Sequence, residues 1–214
     1  LVGQVAAVVQ ATDENFCTGL LGYIVVIDPC IEVTPVVLPA GVVGTALLAT
    51  VTATGGSGTD TLGAVENLVG SAFGDRLTGS GLANRLEGGL GDDTLNGGLG
   101  NDILDGGAGA DSFVFSTTLG TTNVDTVLSF SAADDSILLE NTGIFAALTA
   151  TGALAASAFS LGTAAADIDD RIIFDAATGN LLYDRDGTGV AAAVRFAVLG
   201  GVTGTLTEAD FFVF

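Results

Sequence analysis

A mainly β protein built around a right-handed parallel β-roll is the fold class that the sequence predicts. Five consecutive nine-residue units, spanning 70–114, share one pattern of glycines, aspartates and large apolar residues. Apolar runs rich in valine, leucine and threonine stand on both sides of this block. Hydrophobic residues make up 49% of the 214 residues and charged residues only 14%, so the chain is able to bury a core.

The nine-residue units set the geometry expected of the central block. The units 88–96, 97–105 and 106–114 fit Gly-Gly-x-Gly-x-Asp-x-(large apolar)-x, whereas the first two keep only the sixth and eighth positions and loosen the glycines. Glycines permit a sharp loop with positive φ, and the three residues after the aspartate suffice for a short strand. If two units make one coil, the eighth-position side chains point inward in two ladders. These side chains are Leu77, Leu86, Leu95, Leu104 and Phe113.

The sixth position of each unit places a carboxylate or an amide on a loop. Stacked loops bring these groups close together, and unneutralised carboxylates repel one another. Calcium tolerates the mixed shell of carboxylates and carbonyls that a glycine-rich loop offers, so we expect Ca²⁺ between unit n and unit n+2. The expected pairs are Asp75 with Asp93, Asn84 with Asp102, and Asp93 with Asp111.

This nonapeptide resembles the repeat of the RTX (repeats-in-toxin, haemolysin-type) family of calcium-binding secreted proteins. The resemblance covers about residues 60–214. It implies a β-roll whose loops bind calcium, with backbone carbonyls supplied at the glycine, leucine and alanine positions. The implied ligands are Asp75, Asn84, Gly88, Leu90, Asp92, Asp93, Gly97, Leu99, Asn101, Asp102, Gly106, Ala108 and Asp111.

Residues 1–60 are expected to form a separate β-rich section. Its short apolar runs contain many β-branched residues and are broken by Asp, Gly and Pro. Cys17 and Cys30 enclose a short loop. An even cysteine count in an apparently secreted chain favours a disulfide between them, with two buried free thiols as the alternative. The uncharged run 33–59 contains two prolines and five glycines, which indicate strands and turns and no transmembrane segment.

The roll is expected over 61–115, followed by a β-rich flank over 116–214. The first part of that flank resembles the segment that follows RTX repeats. Asp125 and Asp135 fall at positions that hold a further calcium in relatives, whereas Ser129 stands where the family commonly has an acid.

An Asp-x-Asp-Gly sequence at Asp184 and Asp186 is a further candidate for calcium. In an EF-hand frame set by Gly187, Leu182 and Ala193 would take the first and last ligand positions, so an EF-hand is excluded. An Asp-Gly hairpin turn and a non-standard calcium site, with Asp169 or Asp170, are the two interpretations left open.

The C-terminal tail 210–214 is an acidic residue followed by four apolar ones. It resembles the uncleaved signal of type I secretion, although a terminal β-strand is equally compatible with the pattern. The resemblance implies export by the type I secretion machinery and an extracellular or cell-surface location.

Composition narrows the function. A net charge of −20 repels nucleic acid and anionic lipid, so neither is an expected partner. The absence of histidine excludes the HExxH zinc proteases and the serine esterases that such repeats accompany.

The sequence therefore indicates a secreted, non-catalytic, self-associating structural protein, such as a surface-layer, filament or adhesin-like subunit. The alternative is the C-terminal calcium-binding secretion module of a larger exoenzyme such as a protease or lipase.

Overall fold

The computed structural model describes residues 67–214 continuously and, before them, seven short strands. Cys17 and Cys30 lie outside the described residues, so the disulfide stays a prediction. The seven strands are β1 (Val5–Ala6), β2 (Ala11–Thr12), β3 (Thr18–Gly19), β4 (Val26–Ile27), β5 (Ile31–Val33), β6 (Thr50–Ala53) and β7 (Thr59–Thr61).

The continuous part of the chain is also built from strands, with two short 3-10 helices at Ala156–Ala158 and Glu208–Asp210. No helix in the described residues is long and apolar enough to cross a membrane. The strands are β8 (Asn67–Val69), β9 (Arg76–Thr78), β10 (Arg85–Leu90), β11 (Thr94–Asn96), β12 (Ile103–Ala108), β13 (Ser112–Phe115), β14 (Asp125–Leu128), β15 (Ser136–Leu139), β16 (Gly152–Ala153), β17 (Phe159–Leu161), β18 (Ile172–Asp175), β19 (Asn180–Tyr183), β20 (Val194–Gly200) and β21 (Phe211–Val213).

Consecutive strands from β6 to β15 alternate between two sheets. The larger sheet has the order β17-β18-β19-β20-β14-β12-β10-β8-β6-β5, and the smaller has the order β16-β21-β15-β13-β11-β9-β7. All neighbours from β6 to β14 in the first sheet, and from β7 to β15 in the second, are parallel. Two successive strands and their loops therefore make one coil, which confirms the predicted parallel β-roll.

The core consists of two ladders of inward-pointing apolar side chains. Strand pairing aligns the eighth position of one unit with that of the unit two further along, as for Leu77 with Leu95 and Leu86 with Leu104. Both ladders continue beyond the repeats, through Val127 in the larger sheet and Ile137 in the smaller. The aligned side chains Leu68, Leu77, Leu86, Leu95, Leu104, Phe113, Val127 and Ile137 are all buried.

The glycine positions of the loops hold backbone that other residues adopt only with strain. Gly107 and Gly109 have φ values of 98° and 144°. A Cβ at Gly109 would lie 2.0 Å from the carbonyl oxygen of Gly91 in the loop two units earlier. The repeated glycines thus allow the close stacking of loops that brings equivalent positions together.

The last rung of the roll, meaning the last strand added in parallel to each of the two sheets, comes from the C-terminal end of the chain. Strand β20 pairs in parallel with β14, and β21 pairs in parallel with β15. Phe211 is fully buried against Ile137, whereas Phe212 and Phe214 are 42% and 47% exposed. The segment between β15 and β20 is inserted ahead of this rung and extends both sheets through β16 to β19. The tail is therefore a terminal strand in the folded protein.

Replacing Leu95 with alanine should destabilise the roll by about 2–5 kcal/mol, because the side chain is fully buried in a core ladder. Leu99, in the following unit, is 48% exposed, and Leu99→Ala should change the free energy of unfolding by less than about 0.5 kcal/mol. Urea denaturation of both variants at one saturating calcium concentration measures the difference. Equal losses would contradict the inward and outward assignment of these two leucines.

Candidate metal centre

The sixth-position carboxylates of the last three units are each fixed by a backbone amide from the loop two units earlier. The amide of Asp75 donates to Asp93 Oδ1 at 2.7 Å, and the amide of Asn84 donates to Asp102 Oδ1 at the same distance. The amide of Asp93 donates in turn to Asp111 Oδ1 at 2.9 Å. The structure thus brings together the members of all three predicted pairs.

The same kind of hydrogen bond continues past the repeats to Asp125 and Asp135, the two candidates of the flank. The amide of Asp102 donates to Asp125 Oδ1 at 3.1 Å, and that of Asp111 donates to Asp135 Oδ1 at 3.0 Å. Each new carboxylate stands two residues before an inward apolar side chain of β14 or β15, as in the repeats. Asp102 and Asp111 therefore each touch the loops on both sides, a role that the sequence assigned only to Asp93.

The paired aspartates are buried, and several of their oxygens have no hydrogen-bond partner. Asp93 and Asp102 are 1% exposed. Oδ1 of Asp75, Oδ2 of Asp93 and Oδ2 of Asp102 are buried without a partner. An unsatisfied buried carboxylate oxygen is costly, and coordination by a cation removes that cost. The residues present therefore fit a metal ion.

Burial also raises the pKa values of these carboxyl groups. Desolvation is the largest cause, and it lifts the pKa of Asp93, Asp102 and Asp111 to about 6. The pKa of Asp125 rises to about 7 for the same main reason. In the metal-free roll, stability is therefore lost as the pH rises from the usual carboxyl value of 3.8 through these raised values. A bound dication favours the charged form and opposes this loss.

Main-chain oxygens must complete any metal shell in the loops. In the part of the chain that the structure describes, no three acidic or cysteine side chains converge on one point. A Cβ at Gly88 would lie 2.2 Å from Asp93 Oδ2 and 2.5 Å from the carbonyl oxygen of Gly106. A Cβ at Gly97 would likewise meet Asp102 Oδ2 at 2.2 Å. Glycine at the first position of the unit thus leaves room beside the carboxylate, where carbonyl oxygens also lie, as calcium requires.

The other predicted loop ligands present their side chains elsewhere. Leu90, Leu99 and Ala108 point their side chains to solvent, so only their carbonyls are available to a metal. The carbonyl of Ala108 also accepts a hydrogen bond from the amide of Gly91 at 2.8 Å.

Asp92 and Asn101 join loops two units apart with their exposed side chains. Oδ1 of Asp92 accepts from the amide of Ala110, and Oδ1 of Asn101 accepts from the amide of Val124, both at 2.9 Å. These bonds keep the two side-chain oxygens on the outer rim of the loops.

Asp184 and Asp186 lie apart from both carboxylate ladders, in the turn between β19 and β20. The amide of Asp186 donates to Asp184 Oδ1 at 3.1 Å. Gly187 follows with a φ of 64°, as a tight turn at this point requires.

A family model matches the part of the chain that holds the paired carboxylates. Residues 78–113 match the model of the RTX calcium-binding nonapeptide repeat, in four copies. Among solved structures, the chain is similar to the solution structure of the AlgE6R3 subunit from the Azotobacter vinelandii mannuronan C5-epimerase. Sequence identity is 25%, the match covers 82% of this chain and 79% of that chain, and the TM-score is 0.36. No curated protein matches. Residues 78–113 are therefore RTX calcium-binding nonapeptide repeats, and in this chain they form a parallel β-roll.

Proposed function

We propose that this protein is secreted, folds around extracellular calcium and serves as a non-catalytic structural subunit of a cell surface or matrix. The buried carboxylate oxygens of the loops are the observation that carries the proposal. Asp75, Asp93 and Asp102 each hold one oxygen that no group of the described chain satisfies. The folded loops are therefore unfavourable without a cation and favourable with one.

Calcium concentration then decides where the chain folds. In the cytosol calcium is scarce, the loop carboxylates repel one another, and the chain stays extended enough for export. Outside the cell, calcium near the millimolar range saturates sites of the extracellular class. Binding only to the folded state stabilises it by about 2.7 kcal/mol per site when the ion is in hundredfold excess over its dissociation constant.

The position of the C-terminal tail supports export by the type I secretion machinery before folding. In the folded protein Phe211 and Val213 are buried in the last rung of the roll. An exporter is able to bind these side chains only while the roll is unfolded. Low calcium inside the cell and high calcium outside provide that order of events.

A structural role is supported by the surface of the loops and by composition. Phe73 and Leu90 lie on stacked loops along one edge of the roll, Leu82 and Leu99 lie on stacked loops along the other edge, and each is about half exposed. Exposed apolar groups of this kind favour association. Neutralisation of the neighbouring carboxylates by calcium reduces the charge repulsion between copies that a net charge of −20 otherwise imposes.

Removal of calcium is expected to unfold the roll. Circular dichroism in the presence of a chelator should lose the β signal, and excess calcium should restore it. Magnesium should not restore it, because that ion requires near-ideal octahedral geometry and keeps its waters. A spectrum that ignores the chelator would refute calcium-linked folding.

Asp93→Ala should weaken calcium binding by about tenfold or more relative to Asn84→Ala, because Asp93 links the loops of Asp75 and Asp111 and carries a charge. Chelator-competition titration measures the affinity of each variant. Glu208→Ala serves as the control, since it also removes one carboxylate but from a residue outside the predicted ligands. Equal effects of the Asp93 and Asn84 changes would exclude the shared-ligand assignment.

Assembly should depend on calcium. Light scattering and electron microscopy are expected to show ordered assemblies in calcium and none in chelator. A double change of Leu90 and Leu99 to serine should reduce assembly while leaving the dichroism spectrum in calcium unchanged, because both side chains are exposed. A protein that folds in calcium and stays monomeric would argue against the structural role and favour the exoenzyme-module alternative.

A further inference from the structure

A second group of aspartates lies outside the repeats, where two loops meet beside β18 and β19. One loop is 166–170 and the other is 184–191. Asp170 and Asp184 are each 5% exposed, which is unusual for a charged side chain. This group belongs to the segment inserted ahead of the last rung and shares no residue with the carboxylate ladders of the roll.

The two loops are in direct contact through their main chains. The amide of Asp184 donates to the carbonyl of Arg171 at 2.8 Å. A Cβ at Gly187 would lie 2.7 Å from the carbonyl oxygen of Asp167 and 2.6 Å from that of Ile168. Only glycine fits at this point, and the carbonyls of one loop therefore lie against the turn of the other.

The aspartates of the first loop use their carboxylates to shape that loop. Asp170 Oδ2 accepts from the amides of Ala166 and Asp167 at 2.7 and 3.1 Å. Asp167 Oδ1 accepts from the amides of Asp169 and Asp170 at 2.9 and 3.2 Å. These bonds fix the backbone that presents the Asp167 carbonyl, so the loop is preformed.

The aspartates of the second loop are not satisfied in the same way. Asp184 Oδ1 accepts from the amide of Asp186, and Asp186 Oδ2 accepts from the amide of Ala191, both at 3.1 Å. Asp186 Oδ1 is buried and has no hydrogen-bond partner. Among the residues that the structure describes, four buried side-chain oxygens lack a partner, and the other three belong to the calcium loops of the roll. The fourth, Asp186 Oδ1, is likewise a buried carboxylate oxygen without a partner, but it lies outside the roll.

No arginine in the described residues forms an ion pair with these two carboxylates. The guanidinium of Arg171 donates to the carbonyls of Ile168 and Asp170 at 2.6 and 2.8 Å. Within 67–214 no ion pair reaches Asp184 or Asp186. Two neighbouring carboxylates, one of them on a buried residue, therefore lie in a turn that touches main-chain carbonyls, and neither has an ion-pair partner in the described residues.

We propose that this junction is a second Ca²⁺ site of a different architecture, formed by the carboxylates of Asp184 and Asp186 and the carbonyl of Asp167. All three are oxygen donors, as calcium prefers, and the glycine at 187 allows the turn to approach the Asp167 carbonyl closely. The ion ties the loop before β18 to the turn after β19. It thereby braces the inserted hairpin against the last rung, independently of the ladder sites.

Terbium luminescence tests this site separately from the roll. The chain has two tyrosines and no tryptophan, and Tyr183 directly precedes Asp184, whereas the repeats contain no tyrosine. When Tb³⁺ is added to the full chain kept folded in calcium, tyrosine-sensitised Tb³⁺ emission is therefore expected. A large excess of calcium should displace the Tb³⁺ and remove this emission. Asp186→Asn should abolish this emission and lower the calcium stoichiometry measured by calorimetry by one ion per chain. Asp169→Asn makes the same change of charge at an exposed carboxylate of the facing loop and should leave both readouts intact.

Three outcomes would overturn the site: emission that survives Asp186→Asn, an equal loss in Asp169→Asn, or emission that persists in Tyr183→Phe. The last variant keeps every proposed ligand, so it should lose the emission and keep the calcium stoichiometry, even if Asp186→Asn fails to fold. Far-UV dichroism of each variant in calcium reports the roll independently. If no ion binds at the junction but the dichroism spectrum still depends on calcium, only this site is refuted. If an ion binds at the junction but the spectrum ignores calcium, only calcium-linked folding is refuted.

Discussion

The hydrogen bond from a loop amide to the carboxylate two units later is the interaction on which the rest of the structure depends. It fixes one oxygen of Asp93 and of Asp102 and leaves the other oxygen buried without a partner. The same contact that sets the register of the loops thus creates the demand for a cation. Fold and metal binding are not separate properties here, because the bond that orders the loop also preforms the ligand.

The hydrophobic core of the roll is too small to offset the cost of burying these carboxylate oxygens without a partner. Each coil of two repeat units buries only two large side chains, such as Leu86 and Leu95, while the backbone of the whole coil is ordered. Six of the 18 residues in the coil 88–105 are glycine, which loses more conformational freedom on folding than any other residue. A calcium ion that binds only the folded loops therefore contributes stability that a larger hydrophobic core supplies in other folds.

The sequence predicted the repeat region well because a strict period encodes the pairing. An 18-residue coil places Leu77 under Leu95 and Asp75 beside Asp93, and no other information is needed. After Phe113 the period changes, and the carboxylate pairs are separated by 23 and 24 residues. Asp125 was identified only through resemblance, although its spacing of two residues from a buried apolar side chain is the same signal in a longer loop.

The strand pairing of the last rung could not be predicted from the local sequence pattern. It joins β20 and β21 to strands that precede a long insertion, so the pairing of Phe211 with Ile137 depends on tertiary structure. Its larger-sheet strand carries Ala197 in register with Asp125, and the carboxylate ladder therefore stops one rung before the end. The tail strand has no metal demand of its own. It can pack only on a rung that β14 and β15 have already formed, and that rung is held by the carboxylates of Asp125 and Asp135. If calcium orders those loops, it also controls burial of the tail, one rung away from the nearest ladder site.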